Sequence, residues 1–245
     1  MIKPFKLRVS NNTLNKIYDK VKKYPWANIQ DMNDWKHGTN FKYLKKISKY
    51  WLTKFNWRKQ EKKINKFPNY LTKVDGINIH FIKEKGSGSN PMPLLILHGW
   101  PGSVVEFLNI IEKLAHPERF GGKKEDSFDV IAPSLPGFGF SGSPKKPIGP
   151  RKIAKIMNKF MTKNLGYKKY LSQGGDWGST ISNWLGYDHS KSCKAIHVNF
   201  LSMRLFKGAR TKQEKNWEKR FKKDQIMEEG YRTQQATKPQ SLSYA

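Results

Sequence analysis

The chain has 245 residues, 47 of them Lys or Arg against 19 Asp or Glu, giving a formal charge of +28. A hydrophobic content of 37%, with 8 Trp, 14 Phe and 10 Tyr, excludes low-complexity disorder and suffices for a sizeable core in one or two domains. The single cysteine, Cys193, excludes an intramolecular disulfide framework and metal ligation by cysteine clusters. The longest uninterrupted apolar run, Leu94 to Leu97, is far short of the ~18 residues a spanning helix needs, and Met1 to Ser10 has no apolar signal region. The expectation is a chain with no anchor or signal of its own.

Residues 1–66 hold 18 basic and 4 acidic side chains, so half of the charge excess lies in the first quarter. This stretch reads as helical. Leu14, Ile17, Tyr18 and Val21 share one helix face before Pro25, and after the polar stretch Asn28 to Asn40 a second helix runs from Phe41 to Phe55. Its apolar groups recur with helical period and lysines between them, so the aromatics are expected on a core and the lysines in water. Charge interleaved with aromatics could serve nucleic acid, but no motif of that function accompanies it; an anionic membrane surface is the better partner.

From Leu71 to Ile82 the period becomes two, around Asp75-Gly76, which predicts a hairpin. Pro93 to Leu97 reads as a buried strand, followed by helix (Val104 to Leu114), strand (Phe128 to Ala132), helix (Arg151 to Leu165), strand (Tyr170 to Ser172), helix (Ser179 to Leu185) and strand (Ala195 to Asn199). That alternation predicts a mostly parallel sheet with helices on both faces. After Leu201 a basic helical stretch reaches Gly230, followed by Tyr231 to Ala245. The expected division is a helical region at 1–66, an α/β core at 67–200 and a further segment at 201–245.

Three glycine-containing segments follow predicted parallel strands, where open α/β sheets bind ligands: His98-Gly-Trp-Pro-Gly102, Pro136-Gly-Phe-Gly-Phe-Ser141 and Gly174-Gly-Asp-Trp-Gly-Ser179. The last sets Asp176 in small-x-Asp-x-small-small between a strand and a helix, the pattern of a nucleophile elbow. A serine version, G-x-S-x-G, is absent. A carboxylate suits displacement at a saturated carbon, because the ester it forms can later be cleaved by water. The alternative is an N-cap on the following helix, and both roles are compatible.

His98-Gly99-Trp100-Pro101, followed 75 to 78 residues later by Gly174-Gly175-Asp176-Trp177-Gly178, resembles an epoxide hydrolase of the α/β-hydrolase superfamily. Ile2-Lys-Pro-Phe5, Tyr24-Pro-Trp26, Tyr231 and Thr237-Lys-Pro239 narrow the resemblance to the microsomal and juvenile hormone epoxide hydrolase branch. The resemblance implies a helical N-terminal region, a truncated α/β-hydrolase fold with a mostly parallel sheet, and the start of a helical lid. It implies Asp176 as nucleophile, the backbone N–H groups of Trp100 and Trp177 as an oxyanion hole, and Tyr231 as proton donor to the epoxide oxygen. His98 would be a turn residue, Trp100 and Trp177 would line an apolar pocket, the substrate would be a lipophilic epoxide converted to a vicinal diol, and neither metal nor organic cofactor would be needed. An endoplasmic reticulum or microsomal location is implied, although without an anchor in this chain a cytoplasmic one stays open.

The family's base and its orienting acid follow later strands, yet the last histidine here is His197, read as a strand residue, and 46 residues remain after Asn199. A second lid tyrosine is missing too. The chain is therefore expected to be an N-terminal part that does not turn over, with its sheet ending at an open edge. Two rivals stand beside this reading: a non-catalytic protein binding a lipophilic ligand, and a dehalogenase with an Asp nucleophile.

Overall fold

The computed structural model describes residues 1–26, 34–36, 38–200 and 208–244. Of the polar stretch Asn28 to Asn40, residues 28–33 and 37 lie outside the described residues, as does the junction 201–207. Two compact units result, Met1–Ser202 and Met203–Ala245.

The first unit is built on seven strands, β1 (Lys3–Phe5), β2 (Asn69–Val74), β3 (Ile77–Glu84), β4 (Met92–Leu97), β5 (Phe128–Pro133), β6 (Tyr170–Gly174) and β7 (Cys193–Val198), in the order β1-β2-β3-β5-β4-β6-β7. β1, β2, β3 and β5 pair antiparallel, while β5, β4, β6 and β7 run parallel. The hairpin turns at Asp75-Gly76 as its sequence demands: both residues adopt positive φ, 48° and 84°. The period-two pattern of the central strands divides the core. Leu95, Leu97 and Ile131 face one side with Ile153, Phe160 and Ile181, whereas Leu94, Ile96, Val130 and Ala132 face the other with Val104, Phe107 and Ile111.

Helices flank this sheet. α1 (Asn11–Lys22), α2 (Phe41–Thr53) and α3 (Trp57–Ile64) precede the hairpin; α4 (Ile111–Ala115), α5 (Pro150–Lys159) and α6 (Trp177–Asp188) alternate with the parallel strands. The second unit is helical, with α7 (Lys212–Glu228), α8 (Gly230–Thr237) and α9 (Pro239–Tyr244). Among the described residues no helix is long and apolar enough to cross a membrane, and no cluster of three or more His, Cys, Asp or Glu is disposed to hold a metal ion.

Several expectations need correction. Residues 1–66 are not wholly helical, because Lys3–Phe5 pairs with the hairpin edge, Lys3 opposite Leu71. The aromatic face of the second helix does not enter a core: α1 and α2 bury no residue, and Tyr43, Leu44, Ile47, Tyr50 and Trp51 are 41–50% exposed. Ile47, Tyr50 and Trp51 instead line an open groove of ≈ 570 Å³ together with Leu14, Ile17 and Phe140. That helix also ends at Thr53, since Asn56 caps a separate α3 by accepting the Lys59 N–H at 3.0 Å. The stretch from Val104 to Leu114 divides into a 3₁₀ turn, Val104–Phe107, and the short α4, and Arg151 to Leu165 becomes α5 followed by a π turn, Phe160–Asn164. Residues 194–197 of β7 are exposed, and among the described residues no strand pairs with its outer side.

His80 ties the antiparallel and parallel parts together. Its ring is fully buried on β3; Nε2–H donates to Asn69 Oδ1 and Nδ1 accepts from the Ser134 hydroxyl, both at 2.9 Å. The direction is set by Asn69, whose amide nitrogen already donates to the Ile64 and Phe67 carbonyls. Burial between Phe5 and Phe140 pushes the imidazole from 6.5 down to about 4. The unfolded chain therefore takes up this proton first, so the stability is fully present above the ordinary pKa and is lost as pH falls toward the folded one. The shift amounts to roughly 3 kcal/mol. Urea unfolding midpoints should drop between pH 6.5 and about 4, and His80→Gln, which cannot titrate, should flatten that slope; equal slopes in both proteins would contradict the assignment.

Candidate active site

The site forms where β4 and β6 end side by side, Leu97 opposite Gly174. β6 passes into α6 through Gly175 and Asp176 with no intervening loop. α6 therefore begins at Trp177, two residues before the sequence pattern places it. Asp176 takes φ 48° and ψ −123°, a conformation costing a non-glycine residue about 1–3 kcal/mol. The sharp turn requires close packing beneath it: a Cβ on Gly178 would collide with the Leu97 carbonyl oxygen. Gly174 stands at the start of the turn, where its carbonyl accepts the Ser179 hydroxyl at 2.8 Å and the Asn199 N–H at 3.3 Å.

Asp176 occupies the N-cap position of α6, yet its side chain makes no cap hydrogen bond. Its Oδ1 instead accepts the backbone N–H of Trp100 at 2.9 Å, across 76 residues of sequence. Gly99 makes this approach possible, since a Cβ there would occupy the place of the Asp176 carboxylate. Among the described bonds, none runs from the Trp177 N–H to this carboxylate.

The loop that supplies Trp100 is held from below by His98, 1% exposed. Its Nδ1–H donates to the Gly99 carbonyl at 3.0 Å and its Nε2 accepts the Leu135 N–H at 3.1 Å, so both ring nitrogens are engaged and the ring is neutral in this arrangement. Burial holds its pKa below the ordinary value, partly offset by the Gly99 bond and the Glu106 charge. The Trp100–Pro101 peptide is cis.

The third glycine segment does not join the pair. Ser141 hydrogen-bonds the His80 N–H and the Ser134 carbonyl, while Phe138 and Phe140 pack on His98 and His80. It supports the two histidines.

A pocket of ≈ 430 Å³ opens over Asp176, lined by Gly99, Trp100, Pro101, Gly102, Glu106, Gly175 and Asn199. Trp177 is not among the lining residues, and the pocket is more polar than the paired indoles suggested. Glu106 and Asn199 escaped the sequence reading. Glu106 had a signal, the capping pattern Ser103-Val-Val-Glu106. Asn199 had none, since its place against Gly175 depends on the register of β7. Tyr231 lies in the second unit on α8, 62% exposed.

Comparison with known proteins bears on family and fold. The pattern of the epoxide hydrolase N terminus matches residues 2–107, and that of the alpha/beta hydrolase fold matches residues 92–224. Epoxide hydrolase 1 of Sus scrofa is 39% identical over 203 residues, covering 81% of this chain and 44% of its own length. The structure of Aspergillus niger epoxide hydrolase superposes with a TM-score of 0.86 at 29% identity, covering 100% of this chain and 65% of that one. The juvenile hormone epoxide hydrolase of the silkworm Bombyx mori superposes with a TM-score of 0.80 at 32% identity, over 99% and 58% respectively. The chain spans about half the length of the curated relatives it matches. The chain belongs to the α/β-hydrolase family, and its front carries the pattern of the epoxide hydrolase N terminus.

Proposed function

We propose that this chain carries the alkylating part of an epoxide hydrolase, with Asp176 as the nucleophile. The observation that supports it is the Trp100 N–H bond to Asp176 Oδ1, which leaves Oδ2 as the attacking oxygen. Oδ2 displaces the ring oxygen from an oxirane carbon: one C–O bond forms, one breaks, and the released alkoxide is protonated, with Tyr231 the donor that the resemblance implies. The product is a β-hydroxyalkyl ester. When water attacks that ester, negative charge grows on the oxygen already held by the Trp100 N–H, at a distance where a preorganised donor is effective. The Trp177 N–H is the second donor in this reading. The names of the relatives support an epoxide as the substrate class, and a lipophilic one is the finer expectation.

Breaking the ester needs a base. Among the described residues, none lining the Asp176 pocket is a histidine, and His80 and His98 have both ring nitrogens engaged. His197 lies within β7 and His189 ends α6. On the described residues alone the reaction is expected to stop at the ester.

A second partner in this reading is an anionic membrane surface, and with it a microsomal or endoplasmic reticulum location. Its support is the exposed apolar face of α2 beside Lys42, Lys45, Lys46 and Lys49.

Two outcomes test these readings. Intact-mass analysis after exposure to styrene oxide should show one adduct of the epoxide's mass on the native chain and none on Asp176→Asn. An unmodified native chain, or equal labelling of the variant, would overturn the nucleophile assignment, and diol in excess of protein would overturn the single turnover. For the membrane, the chain should sediment with vesicles containing phosphatidylserine and not with pure phosphatidylcholine, and Lys46→Glu with Lys49→Glu should weaken binding more than about tenfold, from about 1 kcal/mol per lysine. Equal binding to both vesicles would contradict a charge-led partnership.

A further inference from the structure

The Trp100 N–H meets Asp176 only while the loop from Gly99 to Ser103 keeps its course. The far end of that loop is held by Glu106. Ser103 caps the 3₁₀ turn Val104–Phe107 by accepting the Val105 N–H at 3.3 Å, and Glu106 Oε1 reaches back to accept the Ser103 N–H at 3.1 Å. The turn itself is fixed, because Val104 and Phe107 are buried with Ile111 in the core. On its way back the Glu106 carboxylate lies over Gly102, where a Cβ would collide with Oε1. Gly99 stands in the same relation to the Asp176 carboxylate at the other end of the loop. Two glycines thus admit two carboxylates, and the segment between them carries the Trp100 N–H. Both carboxylates line the same pocket.

We infer that Glu106 is a positioning residue for the Asp176 reaction, acting through the Gly99–Ser103 loop to aim the Trp100 N–H. The inference rests on Asp176 being the nucleophile. Glu106 touches neither the substrate nor the reacting atoms in this role. Its side chain is exposed, so its contribution is to loop geometry and not to the core. What the loop needs from it is an acceptor for the Ser103 N–H, which a glutamine supplies and an alanine does not.

The test is the rate of Asp176 alkylation by styrene oxide, followed by intact mass over a range of epoxide concentrations, in the native chain, Glu106→Ala, Glu106→Gln and Gly102→Ala. Glu106→Ala should lower the limiting rate about tenfold while leaving the half-saturating concentration unchanged, as a misaimed group does. Glu106→Gln should restore the rate to within about twofold, because the acceptor is retained. Gly102→Ala, which drives the carboxylate off the loop from the other side, should slow the reaction as Glu106→Ala does. A native rate in Glu106→Ala, or a Glu106→Gln as slow as Glu106→Ala, overturns the inference. If the native chain gives no adduct, the nucleophile reading fails separately, and hydrogen exchange at the Trp100 amide decides this one: it should accelerate in Glu106→Ala and not in Glu106→Gln, and unchanged exchange in both overturns it.

Discussion

The site depends on one hydrogen bond, from the Trp100 N–H to Asp176 Oδ1, and the sheet order explains why it can form. After β4 the chain crosses to β5 on one side, and after β5 it returns past β4 to β6 on the other. β4 and β6 are therefore neighbours whose following loops leave in opposite directions, the arrangement that opens a crevice at the carboxyl edge of an α/β sheet. Neighbouring strands lie about 4.8 Å apart, so groups distant in sequence emerge within hydrogen-bonding reach. The register that sets Leu97 opposite Gly174 delivers the two loops at the same height.

A carboxylate in a strained turn persists only where its surroundings leave no alternative. α6 packs so closely on β4 that Gly178 rests on the Leu97 carbonyl, and the N-cap role that would have stabilised a relaxed Asp176 is exchanged for the bond to Trp100. The supporting layer is polar and fully paired: His98 under one loop, His80 under the segment that packs against it, each with both nitrogens satisfied. Buried neutral imidazoles orient backbone here and are poor candidates for a base.

The elements readable from sequence were those with a strong local cause. Asp75-Gly76 demands positive φ and sets the hairpin, the apolar run at Leu94 to Leu97 needs cover on both faces, and the small residues around Asp176 have no other reason to cluster. What escaped depended on partners far along the chain. A three-residue strand at Lys3–Phe5 is too short for a period, and its existence follows from a free edge on β2. The amphipathic pattern of α2 marks an apolar face without saying what covers it, and here that face opens to a groove. The interruption after Phe107 is fixed by the capping of Val104–Phe107, a pattern present in the sequence at Ser103 and Glu106 and overridden in the reading by the longer helical period.

The most direct measurement is the amide resonance of Trp100 by ¹H–¹⁵N NMR in the native chain and in Asp176→Asn. If the Trp100 N–H donates to the Asp176 carboxylate, its proton should lie downfield and move upfield in Asp176→Asn while the rest of the spectrum is conserved. A Trp100 resonance that does not respond to Asp176→Asn would contradict the account at its base.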